Sequence, residues 1–192
     1  MKRLGYAVLT SPPTTWQFEF TSIPQEHKNL KILYSTKGDT NSWPDQMYIY
    51  FQINGTWIYA TDGSSYTAYQ RGTANGTMSW ESRFGSVGYS YMRMPNNMMS
   101  NTGAYANDFM SGEITIYDYA NTTSPFKLLT AHSPFVMSYG TATSYNSYLQ
   151  QAVGCYNSGT TNSQVTGIRI RSYSGSNDKF MAGSSCGLYA LD

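Results

Sequence analysis

Apolar and polar residues alternate along most of the chain with a period of two, which is the pattern of half-buried β-strands. The stretch TWQFEFTSI places Phe18 and Phe20 on one side, and KNLKILYST does the same for Leu30 and Ile32. Helical spacing is scarce, and only the short stretch 23–26 is expected to form a helical turn. Roughly ten such strands, separated by turns rich in Gly, Asn and Ser, predict a β-sandwich or a barrel.

Two Asn-Gly pairs stand between strand-like runs and predict β-hairpins. Asn54-Gly55 separates QMYIYFQI from TWIYAT, and Asn75-Gly76 separates SYTAYQR from TMSWESR. Both residue types tolerate the positive φ angles that two-residue hairpin turns need. The last run, CGLYAL, is apolar enough to be a central strand. Because no repeat or linker interrupts the pattern, we expect one domain over residues 1–192.

The composition narrows the class of protein. Only 12% of the 192 residues are charged and the net charge is +1, whereas 16% are aromatic, including 18 tyrosines. Without clusters of Lys and Arg, nucleic-acid binding is not expected. No apolar run reaches the length of about 18 residues that spans a membrane, and the start, MKRLGYAVLTSPP, has too short an apolar run for a signal peptide. Tyr, Ser, Gly and Asn are residues that binding surfaces favour.

Four separated blocks occur in the order found in a family of tailed-phage virion structural proteins. FEFTSIPQEHKNLKIL at 18–33 resembles the family's opening with an Ile-Pro-Gln motif, and YIYFQING at 48–55 resembles the strand that follows. FMSGEITIYDYANTT at 109–123 resembles a GEI-x-I-x-x-YAN block. VTGIRIRSYSGSNDKFMAGSSCGLYAL at 165–191 resembles an ending that contains AGS and LYGL.

The resemblance implies an all-β protein made of one jelly-roll-like antiparallel β-sandwich. The family includes tail-fibre domains and capsid-decorating proteins, and its sandwich proteins often form trimers, so a homo-oligomeric virion component is implied. The sequence departs from the family pattern where His27 replaces a Tyr, where Gln52 interrupts the run before Asn54, and where Cys186 replaces a larger apolar residue. None of these departures changes the expected fold.

The resembling blocks also suggest local structure. Pro24 of the Ile-Pro-Gln motif fixes φ and is expected to form a corner between two strands. Within YDYAN, strand alternation predicts that Tyr117 and Tyr119 point to one side and Asp118 to the other. Asp118 and Asn121 are expected to accept backbone hydrogen bonds in a turn rather than to take part in catalysis.

Residues that carry metal or redox chemistry are few and scattered. His27 and His132 are the only histidines, Cys155 and Cys186 are the only cysteines, and none of the four is close to another in sequence. They lack the spacing of a zinc site, so neither a metal nor another cofactor is expected. The cysteines can form a disulfide only if they lie on neighbouring strands, and are otherwise expected to be buried thiols.

The sequence does not predict an enzyme. Glu19 and Glu113 alternate along strands and are expected to face solvent, so they do not suggest the paired acids of a glycosidase. No nucleotide-binding loop and no nucleophile elbow occurs. Arg169 and Arg171 alternate with isoleucines, which predicts two charges on the solvated face of a strand. A polar contact with a neighbouring subunit is the alternative interpretation of these arginines.

The stretch YMRMPNNMMSNTG contains four methionines around a Pro-Asn-Asn corner. Met92 and Met94 share one face of a predicted strand and are expected in the core. The residues after Pro95 have the composition of a loop, and large apolar side chains on a loop often mark a contact surface. The alternative is that this loop folds back onto its own sandwich. The candidate contact residues are Asn96, Asn97, Met98, Met99 and Tyr105.

The sequence therefore predicts a phage virion structural protein that is assembled in the host cytoplasm. It would bind the major capsid protein or other virion proteins as a capsid decoration, cement or head-fibre protein. The chain shows no heptad stalk or collagen-like run of the kind that long tail fibres need to trimerise. The alternative function is a tail-fibre adhesin that binds host glycans, with Trp43, Trp57 and Trp80 stacking on sugar rings.

Overall fold

The fold is given by a computed structural model, which describes residues 1–10, 17–38, 47–58, 64–74, 78–84, 92–93, 109–124, 126–138, 145–157, 164–172 and 179–192. These residues form strands and turns, and none of them is helical. The strands are β1 (Lys2–Val8), β2 (Gln17–Phe20), β3 (Asn29–Thr36), β4 (Met47–Ile53), β5 (Thr56–Trp57), β6 (Ser64–Ala74), β7 (Met78–Phe84), β8 (Met92–Arg93), β9 (Met110–Tyr117), β10 (Phe126–Ser138), β11 (Tyr145–Asn157), β12 (Val165–Ser172) and β13 (Ser185–Leu191).

The strands form two antiparallel sheets. The larger sheet has the order β1-β13-β3-β9-β10-β11-β6-β7, and the smaller sheet has the order β2-β12-β4-β5, with β8 also paired to β4. Eight of these strands pair as a folded ribbon, because β1 pairs with β13, β2 with β12, β3 with β9, and β4 with β5. This nested pairing across two sheets is a jelly roll. The predicted all-β, antiparallel β-sandwich is therefore confirmed.

The hairpins β10–β11 and β6–β7 extend the larger sheet beyond the jelly-roll ribbon. In the larger sheet β10 lies next to β9, and β11, β6 and β7 follow β10 in that order. Every residue of β10 has a partner on β11, from Phe126 opposite Asn157 to Ser138 opposite Tyr145. The larger sheet therefore presents a wider surface than the smaller sheet.

The core lies between the two sheets and follows the alternation in the sequence. The smaller sheet contributes Phe18, Phe20, Ile49, Phe51, Ile168 and Ile170, and the larger contributes Leu30, Ile32, Ile114, Ile116, Leu129 and Leu188. Phe18 packs against Phe180 with ring centroids 4.8 Å apart. Burial of such side chains away from water is the main stabilising contribution to a fold of this kind.

Turn residues behave largely as the sequence indicates. Asn54 and Gly55 have φ angles of 47° and 83° and join β4 to β5 in the predicted hairpin. Strands β6 and β7 pair on either side of the second Asn-Gly, which itself lies outside the described residues. The expected helical turn at 23–26 is wrong, because none of these residues is helical and residues 25–26 form a bend. The N–H group of Ile23 donates to the carbonyl of Thr166 at 3.0 Å, which fixes the stretch to β12.

The expected common orientation of Tyr117 and Tyr119 is also wrong. Tyr117 is 37% exposed, whereas Tyr119 is fully buried in the core. Asp118 between them has a φ of 49°, in the left-handed region, so the strand alternation ends at this residue. Tyr119 consequently turns inward, and Tyr117 stays on the surface of the larger sheet.

Candidate interaction surface

Exposed large hydrophobic side chains lie on one side of the sandwich. Within the described residues, those located in strands are Tyr6, Val8, Tyr117, Leu128 and Val153. All five belong to the larger sheet, and their strand neighbours Ala7, Ile116 and Leu129 lie in the core or pack against it. We refer to the side of the larger sheet that carries these residues as the outer face.

The centre of the outer face is an apolar group on three adjacent strands. Leu128 on β10 lies directly opposite Tyr117 on β9, and Thr130 lies opposite Val153 on β11. Leu128 is 46% exposed and Val153 is 50% exposed. The hydroxyl groups of Tyr117 and Thr130 are 3.3 Å apart and can form a hydrogen bond that fixes the tyrosine ring. The group is therefore held on paired strands rather than on a loop.

Beside this group, the charges that β3 and β9 carry on the outer face are paired. The ammonium of Lys31 on β3 lies 2.8 Å from the carboxylate of Glu113 on β9. On β13, Tyr189 lies over Gly187, where an added β-carbon would be 2.8 Å from the tyrosine ring. Gly187 thus lets an aromatic ring lie flat against the sheet between β1 and β3. This part of the outer face offers area and hydroxyl groups rather than net charge.

The smaller sheet presents a different surface, in which aromatic side chains are covered. Tyr48 and Tyr50 on β4 are buried although they alternate with core residues of the same strand. Arg169 donates from Nε and Nη2 to one carboxylate oxygen of Glu19, at 3.0 and 2.8 Å. Its guanidinium carbon also lies 4.0 Å from the centre of the Trp57 ring.

The arrangement around Arg169 corrects the prediction of a freely solvated charge. The Arg169 side chain is only 11% exposed, because its guanidinium stacks on Trp57 and pairs with Glu19. One face of the Trp57 ring is consequently occupied, and a sugar could stack only on the other. Trp43 lies outside the described residues, and the side chain of Trp80 is not among those described.

Three of the sequence blocks that resemble the phage family meet at one corner of the sandwich. The side-chain amide of Gln25 donates to the carbonyls of Ile23 and Val165, at 2.7 and 3.0 Å. Tyr119 donates its hydroxyl hydrogen to the carbonyl of Pro24, and its own carbonyl accepts from the N–H of Val165 at 3.1 Å. Burial raises the pKa of the Tyr119 phenol. These motif residues therefore connect strands of both sheets.

A buried lysine holds the turn that follows this corner. Lys127 on β10 has no exposed surface, and its ammonium donates to the backbone carbonyls of Asp118, Asn121 and Ser124. Burial lowers the pKa of this ammonium, and the nearby Asp118 opposes that change. Asn121 accepts backbone hydrogen bonds from Thr123 and Ser124, as expected of a turn residue. The cation acts as a fixed donor inside the turn.

The cysteines and histidines lie apart from one another. Cys186 on β13 is a free, buried cysteine, and burial raises the pKa of its thiol. Cys155 lies on β11, which β3, β9 and β10 separate from β13, so the two strands are about 19 Å apart at about 4.8 Å per strand. A disulfide needs α-carbons within about 7 Å, so these cysteines cannot pair with each other.

The two histidines occupy different surroundings. His132 is an exposed residue of β10. His27 is mostly buried, with Nδ1 2.6 Å from the carboxylate of Asp192 and Nε2 3.2 Å from that of Glu26. Among the residues that the structure describes, no group of three or more His, Cys, Asp or Glu side chains is placed to hold a metal ion. That same part of the chain contains no helix long and apolar enough to cross a membrane.

The candidate contact residues all belong to one stretch of the sequence, 96–105. Asn96, Asn97, Met98, Met99 and Tyr105 lie outside the described residues, so their grouping stays a prediction. Met92 lies on β8, which pairs with β4, while Met94 is outside the described part of the chain.

Sequence reasoning missed the apolar group of the outer face, although a signal for it exists. In FKLLTAH the residues Leu128 and Leu129 are adjacent, and adjacent strand residues point to opposite faces. One leucine must therefore leave the core, and it is Leu128. Comparisons with protein-family models, with curated proteins and with solved structures found no match.

Proposed function

We propose that this protein is a structural protein of a bacteriophage virion, which binds the major capsid shell as a decoration, cement or head-fibre protein. The observation that carries an interaction role is the exposure of Tyr117, Leu128 and Val153 on three adjacent strands of the larger sheet. Contiguous exposed apolar side chains of this kind mark protein contact sites. The order of the four sequence blocks supports the assignment to a virion.

The positions of the resembling blocks support a scaffold rather than a reaction centre. Gln25, Tyr119 and Val165 come from three separate blocks, and each takes part in hydrogen bonds that join the two sheets. These residues form their hydrogen bonds with backbone carbonyl and N–H groups. A family defined by such residues shares a framework, which is consistent with a role in assembly.

The outer face indicates how the protein would attach to a shell. The charged pair of Lys31 and Glu113 is already neutralised within the sheet. Attachment would then depend on buried area and hydrogen bonds to side chains such as Thr130 and Tyr117, and only weakly on salt. Particles washed at increasing ionic strength should retain the protein, and release at modest salt concentration would contradict this mode of binding.

The decisive experiment is to locate the chain in whole particles of the phage that encodes it by electron cryo-microscopy. Density for the sandwich on the capsid shell or in a head fibre is the expected result. Density confined to the tail tip would contradict the proposal and would favour a glycan-binding adhesin. Absence of the chain from purified particles would contradict any virion role.

A matched pair of variants tests whether the outer face makes the contact. Leu128→Glu places a charge in the apolar group, whereas Ala182→Glu places the same charge on an exposed turn outside that face. Both proteins should fold, but only Leu128→Glu should lose incorporation into particles. Equal incorporation of the two variants would mean that another surface makes the contact.

A further inference from the structure

We propose that the edge of the larger sheet at β1 is a docking site for an extended peptide segment of another protein, which adds a strand to the sheet and inserts an apolar side chain between the two sheets. This inference goes beyond a role in the virion, because it follows from the edge itself whatever protein supplies the segment. Strand addition of this type is a common mode of peptide recognition.

The first observation is that β1 is an edge strand with regular, open backbone groups. Its only partner among the described strands is β13. Leu9 donates its N–H to Ser184 at 2.9 Å, so the backbone groups of Leu9 point towards β13. Because these directions alternate in an antiparallel strand, the N–H and C=O groups of Tyr6 and Val8 point away from β13. No described residue pairs with them.

The second observation is a cleft directly beneath this edge. It has a volume of about 280 Å³ and lies between β1 and the segment 19–24, with Leu188 on one wall. Phe20 and Ile23 contribute apolar lining from the opposite side. This volume falls below the range of about 300–1,000 Å³ typical of small-molecule sites, yet an aromatic ring fits a cavity of about 150 Å³. One large apolar side chain matches the space.

Besides Leu4 and Tyr6, two small residues of β1 line this cleft. Gly5 lies opposite Leu188, and Ala7 lies opposite Cys186, so both are on the inner side of the sheet. An added β-carbon at Gly5 would lie 2.8 Å from the Phe20 ring, which explains the glycine there. A strand added outside β1 would place its own inner side chain beside Ala7, where this chain leaves room.

The small inner residues also distinguish a foreign segment from a second copy of this chain. If two β1 edges paired antiparallel, the inner positions of β1 itself would be Gly5 and Ala7, and Leu9, which follows β1, already packs against its own core, so the cleft would gain no large side chain. A partner strand with larger apolar residues at alternate positions fills it. The occupant is therefore an extended segment with alternating apolar residues rather than another β1.

The charge at the start of β1 adds a requirement for the partner. Arg3 is exposed on the same side as Tyr189, and no ion pair to it exists within the described residues. Lys2 beside it is paired with Glu26 at 3.2 Å. An acidic residue at the end of the segment would complement Arg3. A bulge between Arg3 and Gly5 limits the regular docking stretch to Gly5–Val8.

The site can be tested with a synthetic peptide, acetyl-Glu-Phe-Thr-Leu-Thr-Phe-Glu-amide, in which apolar residues alternate and both ends are acidic. Binding is followed by NMR of the full chain. We expect saturable binding that shifts the amide signals of Tyr6 and Val8 and slows their hydrogen exchange, while Ala7 is already protected in the free protein. Shifts centred on Trp57, or no saturation at millimolar peptide, would overturn the proposal.

Chemically modified peptides provide controls that do not depend on a protein variant. N-methylation of both threonines removes the N–H groups that would face β1 and should abolish detectable binding. N-methylation of the leucine leaves those groups intact and should preserve binding. A peptide of the same composition in the order Glu-Phe-Phe-Thr-Thr-Leu-Glu should bind at least tenfold more weakly. Equal binding of all four peptides would mean non-specific hydrophobic association.

Two variants complete the test on the protein side. Val8→Pro removes one open N–H group but leaves the hydrogen bonds to β13 in place. It should lower the affinity for the peptide about fivefold, as expected for the loss of one hydrogen bond. Arg3→Gln should lower the affinity for the peptide by a smaller factor and should make binding independent of salt concentration. Hydrogen-exchange protection of Tyr6 and Val8 that rises with protein concentration, without any peptide, would overturn the proposal in favour of pairing between copies.

Discussion

Arg169 lies 4.0 Å from the centre of the Trp57 ring while it donates two hydrogen bonds to Glu19. This relationship joins β12 to its neighbour β2, which carries Glu19, and to β5, which lies beyond β4 and carries Trp57. A planar guanidinium can stack on a ring and form paired hydrogen bonds at the same time, whereas an ammonium cannot.

The first prediction follows from this geometry. Arg169→Lys keeps the charge but should lower the free energy of unfolding by about 1–2 kcal/mol, because the stacking and one of the hydrogen bonds are lost. Urea unfolding followed by circular dichroism measures the effect. Arg3→Lys is the matched control and should leave stability within about 0.5 kcal/mol, since Arg3 is exposed. Equal midpoints for both variants would contradict the role given to Arg169.

The second prediction concerns the buried ammonium of Lys127. Lys127→Met keeps the length of the side chain but leaves the carbonyls of Asp118, Asn121 and Ser124 without their common donor. We expect a loss of about 2–4 kcal/mol in the free energy of unfolding. Lys28→Met removes an exposed lysine and should have little effect. An unchanged unfolding midpoint for Lys127→Met would show that water satisfies these carbonyls equally well.

The third prediction compares two glycines of the larger sheet. A β-carbon at residue 112 would overlap the Tyr34 phenol oxygen and lie 2.8 Å from the backbone carbonyl of His132. Backbone cannot move aside easily, so Gly112→Ala should cost about 2–3 kcal/mol. At Gly5 the close neighbour is only the ring of Phe20, and Gly5→Ala should cost less. The reverse order of stabilities, measured by thermal unfolding, would contradict this account.

The fourth prediction is a dependence of stability on alkaline pH. Burial raises the pKa of the Cys186 thiol above its ordinary value of 9.0, so at higher pH the unfolded chain releases a proton that the folded chain keeps. The folded state then binds more protons, and stability falls as pH rises above about 9, by up to about 1.4 kcal/mol per pH unit. Stability measured below that pH should not show this decline.

Cys186→Ala isolates that contribution. Burial also raises the pKa of Tyr34 and lowers that of Lys127, and these two shifts change the pH dependence of stability with opposite signs. The difference between the parent chain and the variant removes the contribution of Lys127, whereas the contribution of Tyr34 becomes smaller in the variant, because the charge of Cys186 is one cause of the raised Tyr34 pKa. We expect the variant to be less stable at pH 7 but to lose stability less steeply between pH 9 and 11. Parallel curves would mean that the native thiol ionises as readily as the unfolded one.

The sequence predicts the core of this fold well because the responsible signal is local. Phe18, Phe20 and Ile114 alternate with polar residues, and all three are buried. The side of a strand is fixed by its own pattern, so no knowledge of the partner strand is needed. The Asn54-Gly55 hairpin is predicted for the same reason, since its φ angles depend on two adjacent residues.

The features that sequence reasoning predicted wrongly depend on distant partners or on one unusual backbone angle. Arg169 was expected in solvent, but Trp57 covers it, and no local pattern connects the two. Tyr117 and Tyr119 were expected on one side, and the left-handed φ of Asp118 separates them. The candidate surface around Leu128 becomes evident only when the sheet order brings β9, β10 and β11 together.

The nested pairing of strands has a consequence for how the protein is made. Strand β13 lies between β1 and β3 in the larger sheet, although it is the last of the described strands to be synthesised. During translation β1 and β3 therefore wait, each with an unpaired edge, until residues 185–191 leave the ribosome. Strand pairing between residues so distant in sequence is slow and leaves partly folded intermediates that are prone to aggregate. A chain shortened before Ser185 should consequently accumulate as aggregate, even though most of its core residues are present.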